Sequence, residues 1–379
     1  MADKPRSIFE EVGTTEKQVA TPGAIDRGVN DGRGAIRIWL FALFALVFLM
    51  IVVGGLTRLT DSGLSITEWK PVTGAMPPLS AEAWDAEFEK YKQIPEYIEQ
   101  NAGMSLAEFK VIYWWEWGHR QLGRVIGLVW AAGFVYFAVR RQIPTGWTGK
   151  LLLLGALGGL QGFIGWWMVS SGLEDGMLDV ASYRLATHLG LAFVIFGFLT
   201  WFILQLSRRE ADLMQARRSG DARLARLATV LIAISFLQII WGAMVAGIDA
   251  GRSYAEWPLM GGTFVPSTAF DLQPFWTNFF ENAGLVQFIH RMIGYVLLAF
   301  GIFVWWQARS SGNSSIRYSF NLVLAIFLLQ MTLGIVTVLY AAPWSIAIVH
   351  QIGAIVLWVI VLRAKFMTRH PFPEKIAGA

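Results

Sequence analysis

Cysteine is absent from the 379-residue chain, and charge is scarce, with Asp, Glu, Lys and Arg together making up 15%. Without thiols the chain has no structural disulfide, thiolate metal site, iron–sulfur cluster, covalently attached c-type haem or cysteine nucleophile. Soluble domains carry about 25% charged residues, so the low charge beside 55% hydrophobic residues excludes an ordinary cytosolic enzyme. Five histidines remain as the only good soft-metal ligands. The net charge of +4 would suit a nucleic-acid binder, unless the basic residues are placed by membrane topology.

Crossing the hydrocarbon as a helix takes roughly 20 mostly apolar residues. Eight segments qualify: 36–56, 118–139, 150–170, 185–206, 228–247, 286–307, 319–340 and 346–366. An even number puts both termini on one side. If that side is the cytoplasm, the inner segments 1–37, 138–150, 207–227, 307–318 and 363–379 hold 21 of the 31 Lys and Arg. The outer segments 57–115, 171–184, 248–285 and 341–345 hold 7. This is the positive-inside asymmetry; it predicts cytoplasmic N- and C-termini in a bacterial inner membrane, and it removes the support for nucleic acid.

Residues 1–35 mix acids with bases and have no apolar core, so they resemble neither a secretory signal nor a transit peptide, and they read as a disordered cytoplasmic tail. Segment 207–227 reads as a cytoplasmic linker and 367–379 as a second tail. In the outer loop 57–115, Trp84, Phe88 and Tyr91 recur at helical spacing. They predict an amphipathic helix that lies on the membrane surface, covers a site beneath it, or has no functional role.

The two halves align. A constant offset of 188 pairs Gly54 with Gly242, Asp61 with Asp249, Gly63 with Gly251, Ser65 with Ser253, Glu68 with Glu256, Trp69 with Trp257 and Gly74 with Gly262. Further on, His119-Arg-Gln-Leu-Gly123 matches His290-Arg-Met-Ile-Gly294, Gln161-xxx-Gly165 matches Gln330-xxx-Gly334, and His188-Leu-Gly190 resembles His350-Gln-Ile-Gly353 more loosely. The expected fold is therefore an all-α membrane protein of two tandem four-helix bundles, 36–206 and 228–366. Four spans per half return the chain to its starting side, so the repeats are parallel.

Four of the five histidines occupy equivalent places, His119 and His188 in the first half, His290 and His350 in the second, all at outer span ends. One histidine from each of two helices at the same depth is what a bis-histidine haem needs, because its axial ligands approach from opposite faces of the porphyrin. Zinc fits less well, since a catalytic site expects a third protein ligand. His370, in the basic tail, reads as solvated. Gly123, Gly190, Gly294 and Gly353 permit close approach of a flat ligand or of another helix.

The halves differ at one informative position. Glu116 stands one helical turn before His119, and its counterpart before His290 is Gln287. A carboxylate at the edge of an apolar site is costly to ionise and suits proton transfer, which glutamine cannot perform. The first half thus reads as reactive and the second as a resting cofactor site, the competing view being that Glu116 is a solvated interface residue. Arg120, Arg184 and Arg291 are candidates to pair with haem propionates or to reach lipid phosphates.

GGLTRLTDSGLS after the first span, Glu116-x-x-His119-Arg, WPLM at Trp257–Met260 and four histidines in duplicated spans resemble the haem A synthase family over residues 36–366. The resemblance implies oxidation of the C8 methyl of haem O to a formyl group by successive hydroxylations, through a gem-diol that loses water. It implies a permanent haem B on His290 and His350, substrate haem at His119 and His188, and Glu116 as the essential acid. One branch of the family has a cysteine pair in the first outer loop. This chain resembles the cysteine-free branch of proteobacteria and mitochondria, so thiol-based reduction there is excluded. Expected partners are haem O and haem A, membrane lipid, an unidentified electron acceptor, and haem O synthase with oxidase assembly factors. Two other readings compete: a dihaem electron carrier of the cytochrome b kind, which assigns Glu116 nothing, and a transporter, which expects polar groups near mid-bilayer.

Overall fold

A computed structural model describes residues 32–174 and 176–374. Among these there is no strand, and eight helices are long and apolar enough to cross a membrane. They are α1 (Arg33–Leu59), α2 (Leu106–Val139), α3 (Thr148–Gly172), α4 (Ser182–Leu206), α5 (Ala222–Gly247), α6 (Ala283–Arg309), α7 (Ser314–Leu339) and α8 (Trp344–Arg369).

Each half closes into a ring of four helices. In the first, α1 packs on α2 and α4, and α3 packs on α2 and α4; in the second, α5 packs on α6 and α8, and α7 on the same two. The halves meet through α4 against α5, α8 against α1, and α4 against α8. The first two contacts exchange under the repeat and the third maps onto itself, as for parallel repeats about an axis along the helices. At that axis the Trp358 indole donates to the Phe193 carbonyl at 3.0 Å, and the ring passes Gly197, where a Cβ would lie 3.2 Å from its nitrogen. Gln351 of α8 donates to the Ile51 carbonyl of α1 at 2.7 Å. Gly55 is required there, because a Cβ would overlap the Gln351 amide at 2.2 Å. α4 is the most buried span, with Phe193, Phe196 and Leu199 in the core.

Both ends of the described chain lie on one face. Arg33 at the start of α1 donates to the carbonyls of Gln205 and Arg208 beyond α4, and Arg208 in turn donates to the His370 carbonyl beyond α8. The boundaries differ from the sequence expectations at this face. Residues 1–31 and 375–379 of the expected tails lie outside the described residues, while Arg33 to Ala35 already form the first turn of α1. The expected linker contains a helix, Glu210–Arg218, and Asp221 caps α5 by accepting from the Leu224 amide at 2.8 Å. His370 is 6% exposed rather than solvated, because it closes the end of α8 with its ring 4.7 Å from that of Phe366. Burial and the guanidinium of Arg217 lower its pKa.

At the opposite face the long loop 60–105 leads into α2, which starts three turns earlier than its apolar run. A capping box sets that start: Glu108 accepts from the Ser105 amide at 2.8 Å, and the Ser105 hydroxyl accepts from the Glu108 amide at 3.3 Å. The helix Ala81–Tyr91 lies against this extension. Trp84, Phe88 and Tyr91 are buried, with Trp84 edge-on to Tyr113 at 4.9 Å and Phe88 stacked on Phe109 at 4.9 Å. Its apolar face is covered by α2 and not by lipid.

Candidate functional site

The four histidines stand inside the two rings, toward the loop face. His119 (α2) and His188 (α4) face each other across the first, with ring centroids 6.5 Å apart. Two imidazoles that each reach about 2.0 Å to a metal can hold one ion between them at that separation. His290 (α6) and His350 (α8) take the same positions in the second ring. Behind each imidazole is a glycine on the neighbouring helix. A Cβ at Gly54, Gly165, Gly242 or Gly334 would lie 3.0, 2.8, 3.1 or 3.0 Å from the rings of His119, His188, His290 and His350 respectively. A side chain at Gly165 would push on the His188 ring, and one at the other three would be in tight contact with the imidazole.

Three of the four imidazoles also have a glutamine beside them. The side-chain nitrogens of Gln161, Gln238 and Gln330 lie 3.2 Å from Nδ1 of His188, His290 and His350, and those of Gln161 and Gln238 are as near to Nε2, at 3.3 and 3.2 Å. The Oε1 atoms of all three are buried and without a hydrogen-bond partner. A histidine bound to a metal through Nε2 presents Nδ1–H and needs an acceptor. For Gln238 a half-turn of the amide exchanges its oxygen and nitrogen, supplies that acceptor and satisfies the orphaned oxygen; for Gln161 and Gln330 the half-turn gives up the bonds to the His188 and His350 carbonyls at 3.0 and 2.9 Å. These donor sets fit a bis-histidine haem in each half.

Glu116 is 2% exposed, so it is not a solvated interface residue. Its Oε2 accepts from the Ser65 hydroxyl and the Ile66 amide, both at 2.8 Å, and its Oε1 accepts from Arg120 Nε at 3.1 Å and Nη2 at 2.5 Å. Every partner donates. Arg120 also donates to the carbonyls of Ile66 and Glu68, so the guanidinium and carboxylate together clamp the loop that follows α1 onto α2. In the second half Gln287, also 2% exposed, donates to the Tyr254 carbonyl at 3.2 Å, and Arg291 donates to the carbonyls of Tyr254 and Leu259. Ile66 and Tyr254 are 188 positions apart, so the arginine holds the equivalent loop in both halves, while Gln287 donates where Glu116 accepts and its Oε1 is buried without a partner among the described residues.

Arg120 and Arg291 thus hold loop backbone in place. Arg184 lies over the Trp167 ring at 4.8 Å and donates to its carbonyl at 2.9 Å. At the joint between the halves Arg58 pairs with Asp61, Asp179 and Asp249 at 2.7, 3.4 and 3.1 Å. Asp61 and Asp249, equivalent in the repeat, share left-handed backbone at φ 48° and 50°. Nearby, burial pushes the Glu96 carboxyl up to about 8.

Of the residues expected at the sites, the structure brings the histidines together in pairs and leaves Gly123, Gly190, Gly294 and Gly353 to pack against Met50, Ile240, Gln238 and Gln330. Sequence reasoning assigned no role to the glycines behind the imidazoles or to the glutamines. The signal was present in Gln161-xxx-Gly165 and Gln330-xxx-Gly334, where four-residue spacing puts amide and glycine on one helix face.

The family model described as cytochrome oxidase assembly protein, COX15-CtaA, matches residues 37–362. The chain is 61% identical to the heme A synthase of Dinoroseobacter shibae over 99% of both chains. It is 62% identical to that of Ruegeria pomeroyi over 98% of this chain and 99% of the relative. It is 56% identical to that of Paracoccus denitrificans over 98% of both.

Proposed function

The chain belongs to the COX15-CtaA family of cytochrome oxidase assembly proteins, and from that premise we propose that it is a haem A synthase, an oxidoreductase that converts the C8 methyl of haem O to the formyl group of haem A. The observation that carries the division of labour is the pair Glu116 and Gln287: two sites built alike, with one buried acid between them.

In this reading His290 and His350 hold a resident haem B, which supplies electron transfer when bound. Gln238, its amide turned, accepts from the Nδ1–H of His290, Gln330 holds the His350 carbonyl beside its ring, and Gly242 and Gly334 leave room for the rings. His119 and His188 hold the substrate haem. Glu116, one turn from His119 and fixed by Ser65, Ile66 and Arg120, takes or returns a proton at the reacting side chain. Arg184, and the N–H groups that Arg120 and Arg291 do not give to the loop or to Glu116, serve as partners for propionates. Cells that make haem O but no haem A should yield haem A in their extracted membranes once they express the full chain. Unchanged haem O alone would overturn the proposal.

The Lys and Arg distribution supports a cytoplasmic face for the chain ends and an outer face for the loop 60–105 and the haem sites. A reporter active only in the periplasm should be silent after Gly220 and active near Gly103. The reverse pattern would place the sites at the inner face.

A further inference from the structure

The second-half imidazole His290 has Gln238 beside it, and the position 188 earlier is Met50. The two side chains occupy the same place. Gln238 Nε2 lies 3.4 Å from where a Cβ would stand on Gly294, and Met50 Cε lies 3.5 Å from the corresponding point on Gly123, each glycine being one turn beyond its histidine. A thioether is only a weak acceptor. Among the described residues His119 has no side-chain hydrogen bond, whereas its partner His188 keeps Gln161. Three imidazoles therefore have an amide beside the ring, which Gln238 is free to turn so that its oxygen meets Nδ1–H of His290, and the fourth, on the helix that carries Glu116, has a thioether.

We infer that Met50 makes His119 the releasable ligand, so that the first-half haem can enter and leave, while Gln238 fixes His290 and retains the haem of the second half. The inference rests on the proposed assignment of substrate and resident haems to the two rings. It follows from what each site must do: a substrate site has to release its product, and a resident site must not. Loss of the acceptor behind a metal-bound histidine typically costs about 10–100-fold in metal affinity. That factor would separate two rings built from the same histidines and glycines. It also places the weaker iron–ligand bond beside Glu116 and leaves His188 as the fixed side of the site.

The test measures haem transfer from the purified full chain to excess apomyoglobin, followed by visible absorbance. Gln238→Met should release haem B about 10–100-fold faster than the unmodified protein, and Gln238→Glu, which keeps an acceptor, should not. Met50→Gln adds a group rather than removing one. Purified from cells supplying haem O, it should carry more haem per chain and release the first-half haem about 10–100-fold more slowly. Unchanged release in Gln238→Met and in Met50→Gln would overturn the inference. His290→Ala separates this failure from that of the underlying assignment: if it keeps haem B, the assignment itself fails, and if it loses haem B while Gln238→Met does not, only the role of the acceptor fails.

Discussion

Glu116→Gln is expected to stop haem A formation while leaving haem B in place. General acid–base assistance is typically worth about 10²–10⁴-fold, or about 3–5 kcal/mol of barrier. Glutamine matches the carboxylate in shape, and Gln287 occupies the equivalent buried place in the second half, against the equivalent loop that Arg291 also holds. The fold therefore accommodates the amide, and what is removed is the proton-transferring group. Cells dependent on the variant should accumulate haem O or its hydroxylated product, read by chromatography of extracted haem. The purified variant should keep its haem B absorbance and elute as the unmodified protein does. Gln287→Glu should create no second reactive site, because in the proposed assignment His290 and His350 would both hold the haem there. Haem A made at the unmodified rate by Glu116→Gln would reduce Glu116 to a loop clamp.

The second large effect is on haem content. If His290 and His350 hold the resident haem as proposed, replacing either with Ala would remove one of its two holders and leave a cavity beside Gly242 or Gly334, so most of the haem absorbance of the purified protein should be lost. His119→Ala should remove much less, since it touches only the exchangeable site. Haem per chain, measured against protein mass, decides it. Equal losses for all four histidines would contradict the division into a reactive and a resting half.

Much of this was legible in the sequence, and the reasons are physical. Span length follows from bilayer thickness, so eight helices could be counted from apolar runs. The fixed offset of 188 identified the repeat and made four scattered histidines into two pairs. The contrast between Glu116 and Gln287 was visible for the same reason. Relations between helices were not legible. Nothing in the order of residues shows that Gly54 backs His119 or that Gln238 reaches His290, because the rotation of one helix against another is set by packing. The arginines were read as candidates for propionates or phosphates, and the sequence did not show that Arg120 and Arg291 also donate to carbonyls some 50 residues upstream in the one and 32 and 37 upstream in the other. The period of Trp84, Phe88 and Tyr91 showed a helix with one apolar face. What covers that face depended on α2 running past the apolar segment, an extension fixed by the Ser105–Glu108 cap.

The most direct measurement is the identity of the haems extracted from the purified full chain after expression in cells that make haem O. An enzyme with one resident and one substrate site should yield haem B together with haem O, a hydroxylated haem O or haem A. Two equivalents of haem B per chain, with no haem O derivative, would contradict the account and identify a dihaem electron carrier instead.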